Sequence, residues 1–293
     1  MSRPCVDVVV PFRGEPHDLE QLRARLARLR LRQGDTIVVV DNSPGQRRPE
    51  SSSNGEVRVL SARERPTPGY ARNRGAARGT AEWLVFIDAD TEPSPDLIDR
   101  YFGVTPAKAT AQLAGRVIDE PVGTDAPGPA RYAYLRGTLD QSRTLELTPW
   151  PFAQTANVAC RRRAFEAVGG FREDIWPAED ADLSYRLIAA GWAIERRDEA
   201  SVVHFNRRTV RGLVSQAARH GAACAWLDRM YPGSFPARRL PGLVWWGIRF
   251  ATAGLVRFAL RRDRDEAVRA VYEPLWELAF ELGRTRSIER LSR

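Results

Sequence analysis

Residues 68–90 read PGYARNRGAARGTAEWLVFIDAD, and the fold is decided within them. Trp83–Ile87 is a continuous apolar run that stops at Asp88-Ala89-Asp90. A short apolar run closed by polar turn residues is the pattern of a strand buried on both faces. Ahead of it, Tyr70–Gly79 mixes small residues with arginines in a helical stretch. The same alternation extends upstream. Val6–Val10 is a β-branched run ending at Pro11, and Thr36–Val40 is a second one ending at Asp41-Asn42. Between them Leu19, Leu22, Leu26 and Leu29 recur at spacings of three and four, with Asp18 as a start signal and Gly34 as a stop. Val57–Leu60 reads as a third, weaker strand, and Ser94-Pro95-Asp96 as a helix start. Strands alternating with helices predict an α/β fold with a mostly parallel central sheet flanked by helices.

The rest of the chain is less regular. Gln112–Ile118 and Val202–Phe205 read as strands, Arg163–Val168 as a helix closed by Gly169-Gly170, and Asp180–Ala190 as a helix stopped by Gly191. Residues 43–55 and 119–129 read as surface loops, and from Thr209 the pattern is helical apart from a break near Pro232–Pro241. The 293 residues are 43% hydrophobic and 28% charged, which excludes collagen, coiled coil and disordered polymer. Cys5, Cys160 and Cys224 are too few and too scattered for a disulfide framework, so a reducing cytoplasm is expected. Asp7, Arg13, Glu15 and Asp18 interrupt the first 30 residues, and no secretory leader is expected there. The net charge of +8 is unevenly placed. Residues 205–293 hold 17 arginines against 8 acids, whereas the first 204 residues are nearly neutral.

Open α/β sheets bind ligands beyond the carboxyl ends of their strands. Pro11-Phe12-Arg13-Gly14-Glu15, Asp41-Asn42 and Asp88-Ala89-Asp90 all follow predicted strands, so they should share one rim. Two carboxylates two residues apart in a strand share a face, and such a pair suggests a hard divalent cation, Mg or Mn, holding a phosphate or diphosphate. Arg72 and Arg74 offer guanidinium donors to an anion. Glu179-Asp180 stands at a helix start, where the dipole favours an ionised carboxylate by ~0.3–1 kcal/mol and so suits a general base. Asp182, on the same turn, is expected to be exposed. His204 closes a short apolar run, a position that permits a metal ligand. Trp176-Pro177 could offer an aromatic platform to a sugar or lipid.

The strings VDVVVPFRGE, IVVVDNSPG, PGYARNRGAARGTAEWLVFIDAD, CRRRAFEAVGGF and AEDADLSYRLIAAGW, in this order over residues 5–207, resemble the family 2 glycosyltransferases of GT-A fold. The resemblance implies a nucleotide-sugar-binding half over 1–115, an acceptor-binding half over 116–208 and a basic helical C-terminal extension over 209–293. It implies that Pro11, Phe12, Glu15, Asp41, Arg72, Asp88, Ala89 and Asp90 bind the donor, with UDP the default nucleotide. It further implies a Mg or Mn ion on Asp90, Asp88 and His204, and inversion at the anomeric carbon. Asp180 would be the base, with Glu179 and Trp176 on the acceptor side; the two acids could exchange roles. Phe12-Arg13 departs from the family's frequent Tyr-Asn after the first proline. The acceptor would be a carbohydrate or a lipid-linked one.

The basic tail admits a different reading, a non-catalytic transferase-like scaffold acting through its helices. No nucleic-acid motif accompanies the charge, and no nucleic-acid partner is expected. Residues 240–262 are apolar and aromatic but interrupted by Arg249 and Arg257, which argues against a membrane-spanning helix. Either they lie in the membrane interface, at the inner face, or they pack on the catalytic body.

Overall fold

The computed structural model describes residues 3–45, 57–286 and 288. The elements run β1 (Val6–Phe12), α1 (Pro16–Leu26), β2 (Thr36–Asp41), β3 (Arg58–Ser61), α2 (Pro68–Ala76), β4 (Trp83–Ile87), β5 (Thr91–Pro93) and α3 (Leu97–Tyr101). Then come β6 (Thr110–Asp119), α4 (Gly128–Arg136), α5 (Gln141–Leu145), β7 (Asn157–Arg161), α6 (Arg162–Ala167), α7 (Glu179–Ala189) and β8 (Ala193–His204). Three longer helices follow, α8 (Val210–Met230), α9 (Leu240–Arg261) and α10 (Arg264–Gly283). Part of the loop expected over 43–55 lies outside the described residues.

The described residues pack as two compact units. The first takes residues up to Ile118 together with Leu139–His204 and holds the sheet. Its strand order is β3-β2-β1-β4-β7-β6-β8-β5. β3, β2, β1 and β4 are mutually parallel, with Phe12 opposite Asp41 and Asp41 opposite Ser61. Their carboxyl ends therefore line one rim. Beyond β4 the sheet turns antiparallel, β7 pairing with both β4 and β6, and β8 with β5. This antiparallel half, including all of β7 and the full length of β8, goes beyond the sequence reading.

Packing follows from alternation across the sheet. Val8, Val10, Ile37, Val39, Val85 and Ile87 face one apolar layer with Leu19, Leu22 and Leu26 of α1. Val9, Val38, Val40, Leu84 and Phe86 face the other, under Ala71 and Ala76 of α2. Gly75 lets α2 approach this closely, because a Cβ there would meet Val9 Cγ1 at 2.4 Å. The start of α1 differs from expectation. Glu15 is its N-cap and Asp18 the reciprocal partner of a capping box, and the helix ends at Leu26, well before Gly34. Ser94-Pro95 forms a turn ahead of α3 rather than its first residues.

The second unit, Asp119–Thr138 with residues from Phe205 on, is helical. Tyr132, Leu213, Ala217, Trp276 and Ala279 make its core. Backbones of α8 and α10 cross at small residues: a Cβ on Gly283 would stand 2.1 Å from Ala218 O. α4 is tied to α10 by Arg131 with Asp265 at 2.6 Å and by Arg136 with Glu277 at 2.9 Å.

One buried polar group in the first unit stands out. Gln112 on β6 is fully buried, and neither its amide nitrogen nor its oxygen has a hydrogen-bond partner among the described residues. An unpaired buried amide costs ~1–3 kcal/mol. Gln112→Leu, close in volume, is therefore expected to raise the urea midpoint by a gain of about that size; a lower midpoint would contradict this.

Candidate active site

The segment 68–90 builds the centre of the site from two elements. α2 is capped by Thr67, whose side chain accepts from Tyr70 N, and it projects Arg72 and Asn73 toward the segment that precedes α7. β4 ends at Ile87, so Asp88-Ala89-Asp90 lies in the turn into β5 rather than in a strand. The turn is closed by Thr91, whose hydroxyl donates to Asp88 O at 2.8 Å. It is propped from α1 by Arg25, which donates to Ala89 O at 2.8 Å. The strand-alternation argument for two carboxylates on one face therefore does not hold. The two acids have separate protein counter-groups.

Arg72 is the counter-group for Asp88. Its Nη2 reaches Asp88 Oδ1 at 2.6 Å and its Nη1 reaches Glu179 Oε1 at 2.9 Å. The guanidinium is 3% exposed and lies over the Phe171 ring at 5.5 Å. It is a bidentate bridge between two carboxylates from distant parts of the chain; burial works against its charge, and the charges and hydrogen bonds of Asp88 and Glu179 outweigh that and raise its pKa. Arg74, by contrast, is exposed. The approach of α2 to residues 171–173 is fixed by further bonds. Asn73 Nδ2 donates to Phe171 O at 2.8 Å, Asn73 Oδ1 accepts from Phe171 N at 2.9 Å, and Thr67 Oγ1 donates to Glu173 O at 2.8 Å. Gly69 permits the contact, since a Cβ there would meet Arg172 O at 2.6 Å.

From Phe171 the chain runs through Trp176, joined to Pro177 by a cis peptide, to Ala178, a non-glycine residue at φ 122°. Such a conformation costs ~1–3 kcal/mol and is kept where the surroundings hold it. It turns the chain sharply into α7, whose first residues are Glu179 and Asp180. Glu179 is buried, with one carboxylate oxygen on Arg72 and Oε2 without a hydrogen-bond partner among the described residues. Burial raises its pKa, against the opposing charge of Arg72. Asp180 is half-buried and its Oδ1 accepts Ala181 N at 2.8 Å. Desolvation, joined by the charge of Glu179, pushes its pKa up to about 7. The helix dipole, at ~0.3–1 kcal/mol, is outweighed. Asp182 is buried, not exposed as expected, because Arg186 one turn on pairs with it at 2.8 Å.

The remaining candidates spread along the rim. Asp41 is fully buried at the end of β2, accepting Ser43 N at 3.0 Å and meeting Arg63 Nη2 at 3.2 Å. Phe12 is buried and Pro11 half-buried at the end of β1, while Glu15 is exposed as the cap of α1. His204 ends β8 opposite Thr91, which brings its Nε2 to 3.8 Å from Asp90 Oδ2. The groups brought together are thus Arg72, Asp88, Glu179 and Asp180 on one side and Asp90 with His204 on the other. Arg25 and Phe171 escaped sequence reasoning, because the contacts that bring them here, to Ala89 O and to the Arg72 guanidinium, come from distant parts of the chain.

Among the described residues no three His, Cys, Asp or Glu side chains gather into a ligand set. A hard divalent cation that keeps waters and takes phosphate oxygens is held by as few as one or two carboxylates, however, and Asp90, with His204 Nε2 3.8 Å away, offers one. Asp88, engaged by Arg72, is the poorer donor of the three expected.

The raised pKa of Asp180 sets a stability prediction. The folded state keeps a proton that the unfolded chain releases near pH 4, so folding is penalised progressively as pH rises from about 4 to about 7. Asp180→Asn should remove that decline. Urea unfolding at pH 5 and pH 8 is expected to show a smaller stability difference in the variant than in the wild type; an unchanged difference would exclude the shift.

The family model described as glycosyl transferase family 2 matches residues 7–169. The pre-mycofactocin glycosyltransferase of Mycobacterium tuberculosis is 29% identical over 266 residues, covering 88% of this chain and 55% of the relative. The chain thus spans about half the length of that relative. The N-acetylglucosaminyl-diphospho-decaprenol L-rhamnosyltransferase of the same organism is 26% identical over 303 residues, covering 90% of this chain and 96% of the relative. Among solved structures, the mannosyltransferase PcManGT of Pyrobaculum calidifontis, in complex with GDP-Man and Mn2+, shares the fold at a TM-score of 0.57 and 17% identity. That match covers 94% of this chain and 88% of the other.

Proposed function

The chain belongs to glycosyl transferase family 2, and we propose that it moves a sugar from a nucleoside-diphosphate sugar to an acceptor hydroxyl, with inversion and with help from a divalent cation. The observation that carries this reading is the Arg72 bridge, which brings the strand-end carboxylate Asp88 and the Glu179-Asp180 pair into one cluster. Asp180 is the group with the right chemistry for a base. A catalytic base works best when its pKa lies near the operating pH, and Asp180 is pushed up to about 7 while staying partly open to solvent. Glu179 is engaged by Arg72, which favours Asp180 over it for this role. Glu179 Oε2, without a hydrogen-bond partner among the described residues, has acceptor capacity for a sugar hydroxyl.

In the proposed reaction the acceptor oxygen attacks the anomeric carbon from the face opposite the diphosphate. The carbon–oxygen bond to phosphate breaks, its electron pair leaves with the nucleoside diphosphate, and the acceptor proton passes to Asp180. A Mg or Mn ion held by Asp90 and His204 would supply neutralisation of the diphosphate charge. The Mn2+ in the mannosyltransferase complex and in GalNAc-T7 with UDP, a fold neighbour at a TM-score of 0.50, supports this assignment. Pro11, Phe12, Glu15, Asp41, Asp88 and Ala89 complete the donor rim, Trp176 faces the acceptor, and UDP is the first nucleotide to test. The decaprenol-linked substrate in the rhamnosyltransferase's name supports a lipid-linked acceptor and a site of action in the cytoplasm, at the inner face of the membrane.

Two measurements test this. A thermal-shift panel of UDP, GDP, dTDP and CDP with and without Mn should show one base stabilising the protein in a metal-dependent way, by ~2.7 kcal/mol at a hundred dissociation constants, with the effect lost in Asp90→Ala. No shift with any nucleotide would sink the reading. With the donor found, Asp180→Asn should lower transfer by ~10²–10⁴-fold and leave nucleotide affinity unchanged. Wild-type activity should climb as pH rises through about 7, following deprotonation of Asp180. Full activity in the variant would remove Asp180 from the mechanism.

A further inference from the structure

α9 is apolar on two opposite faces, and the fold accounts for one of them. Leu243, Gly247 and Gly254 form its buried stripe. That stripe meets α10, where a Cβ on Gly247 would touch Pro274 and one on Gly254 would fall 2.6 Å from Ala270 Cβ. At 100° per residue, Trp245 and Val256 project the other way, and Ile248 and Leu255 lie on the flank between. They are exposed, Trp245 by 62% and Val256 by 53%. Across the most apolar window of the helix, mean hydropathy is 1.3 and 17% is buried. An apolar face of this extent beside a face already packed marks an interaction surface.

The charges around it select the partner. α9 contains no acidic residue. Arg239, Arg262 and Arg264 flank it and Arg249 and Arg261 lie on it, all exposed, with Asp263 the one acid between Arg238 and Arg264. Arg238 and Arg257 are paired, with Glu277 and Glu266 of α10. A second copy of the same helix would bring these arginines against one another. An anionic surface would be matched by them. Tryptophan, as in the Trp245-Trp246 pair, is the side chain enriched where hydrocarbon meets head groups.

We propose that α9 docks on an anionic lipid bilayer, lying in the interface plane with Trp245, Ile248, Leu255 and Val256 inserted and the flanking arginines on lipid phosphates. The helix is long enough to span, but spanning would place Arg249 and Arg257 in hydrocarbon and strip away α10, whose acids pair with it. The inference rests on α9 and α10 alone and stands or falls separately from the transferase reading.

The test is sedimentation of the full chain with vesicles of equal parts phosphatidylglycerol and phosphatidylcholine, or of phosphatidylcholine alone, at low and high salt. The wild type should pellet with the anionic vesicles, at least roughly tenfold better than with neutral ones, and less as salt rises. Ile248→Glu with Val256→Glu should lower that binding by roughly tenfold or more at an unchanged melting temperature. If that variant misfolds, Arg249→Glu with Arg261→Glu tests the charge half and should also release the vesicles. Absence of wild-type binding, or binding untouched by both variants, overturns the proposal. So does a wild-type dimer in analytical ultracentrifugation that the Glu pair dissolves while vesicles stay unbound, which would assign the face to a second copy.

Discussion

One buried guanidinium organises the first unit's chemistry. Arg72 carries a full charge at 3% exposure, which is tolerable because carboxylates receive it on both sides. Those carboxylates come from the end of β4 and the start of α7, far apart in sequence. Glu179 depends on the bridge in turn, since it is buried, whereas Asp88 is 31% exposed. Removing the cation would strand Glu179 in a medium that already disfavours its charge. The bonds around Arg72, from Asn73 and Thr67 to the backbone of residues 171–173, serve the same end by holding α2 against the segment that delivers the acid pair.

The bridge also divides labour among four acids that proximity alone would leave competing. Asp88 and Glu179 are compensated by Arg72. Asp90 stands apart from them beside His204. Among the described residues no cation pairs with Asp180, which sits next to the negative charge of Glu179, so burial and repulsion raise its pKa. Environment, rather than residue type, separates a group that stays charged from one able to take up a proton at neutral pH.

Much of this was legible in the sequence, and the gaps have physical causes. β1, β2 and β4 are buried on both faces, so they read as unbroken apolar runs, and the parallel rim follows from their order. β7 escapes because Asn157 and Arg161 bound it; Arg161 is nonetheless accommodated by stacking its guanidinium over Trp83 at 4.4 Å. The twelve-residue β8 begins with AIERRDEA, a polar string that becomes strand through its position in the sheet rather than its composition. Arg72 reads correctly as an anion binder, but pattern alone does not reveal that its anions are the protein's own. Asp182 was misread because its partner Arg186 lies one turn along the same buried face. The grouping of Asp119–Thr138 with the C-terminal helices is likewise invisible until Arg131 and Asp265, 134 residues apart, are seen to pair.

The central claim is that burial, joined by the charge of Glu179 and opposed by that of Arg72, sets the proton affinity of Asp180. Carboxyl carbon NMR, assigned through Asp180→Asn, measures it directly on wild type and Arg72→Met. The account predicts that Asp180 titrates near 7 in the wild type, and higher still once the positive charge of Arg72 is gone. An ordinary carboxyl midpoint near 4 in the wild type, or one that Arg72→Met leaves unmoved, would contradict it.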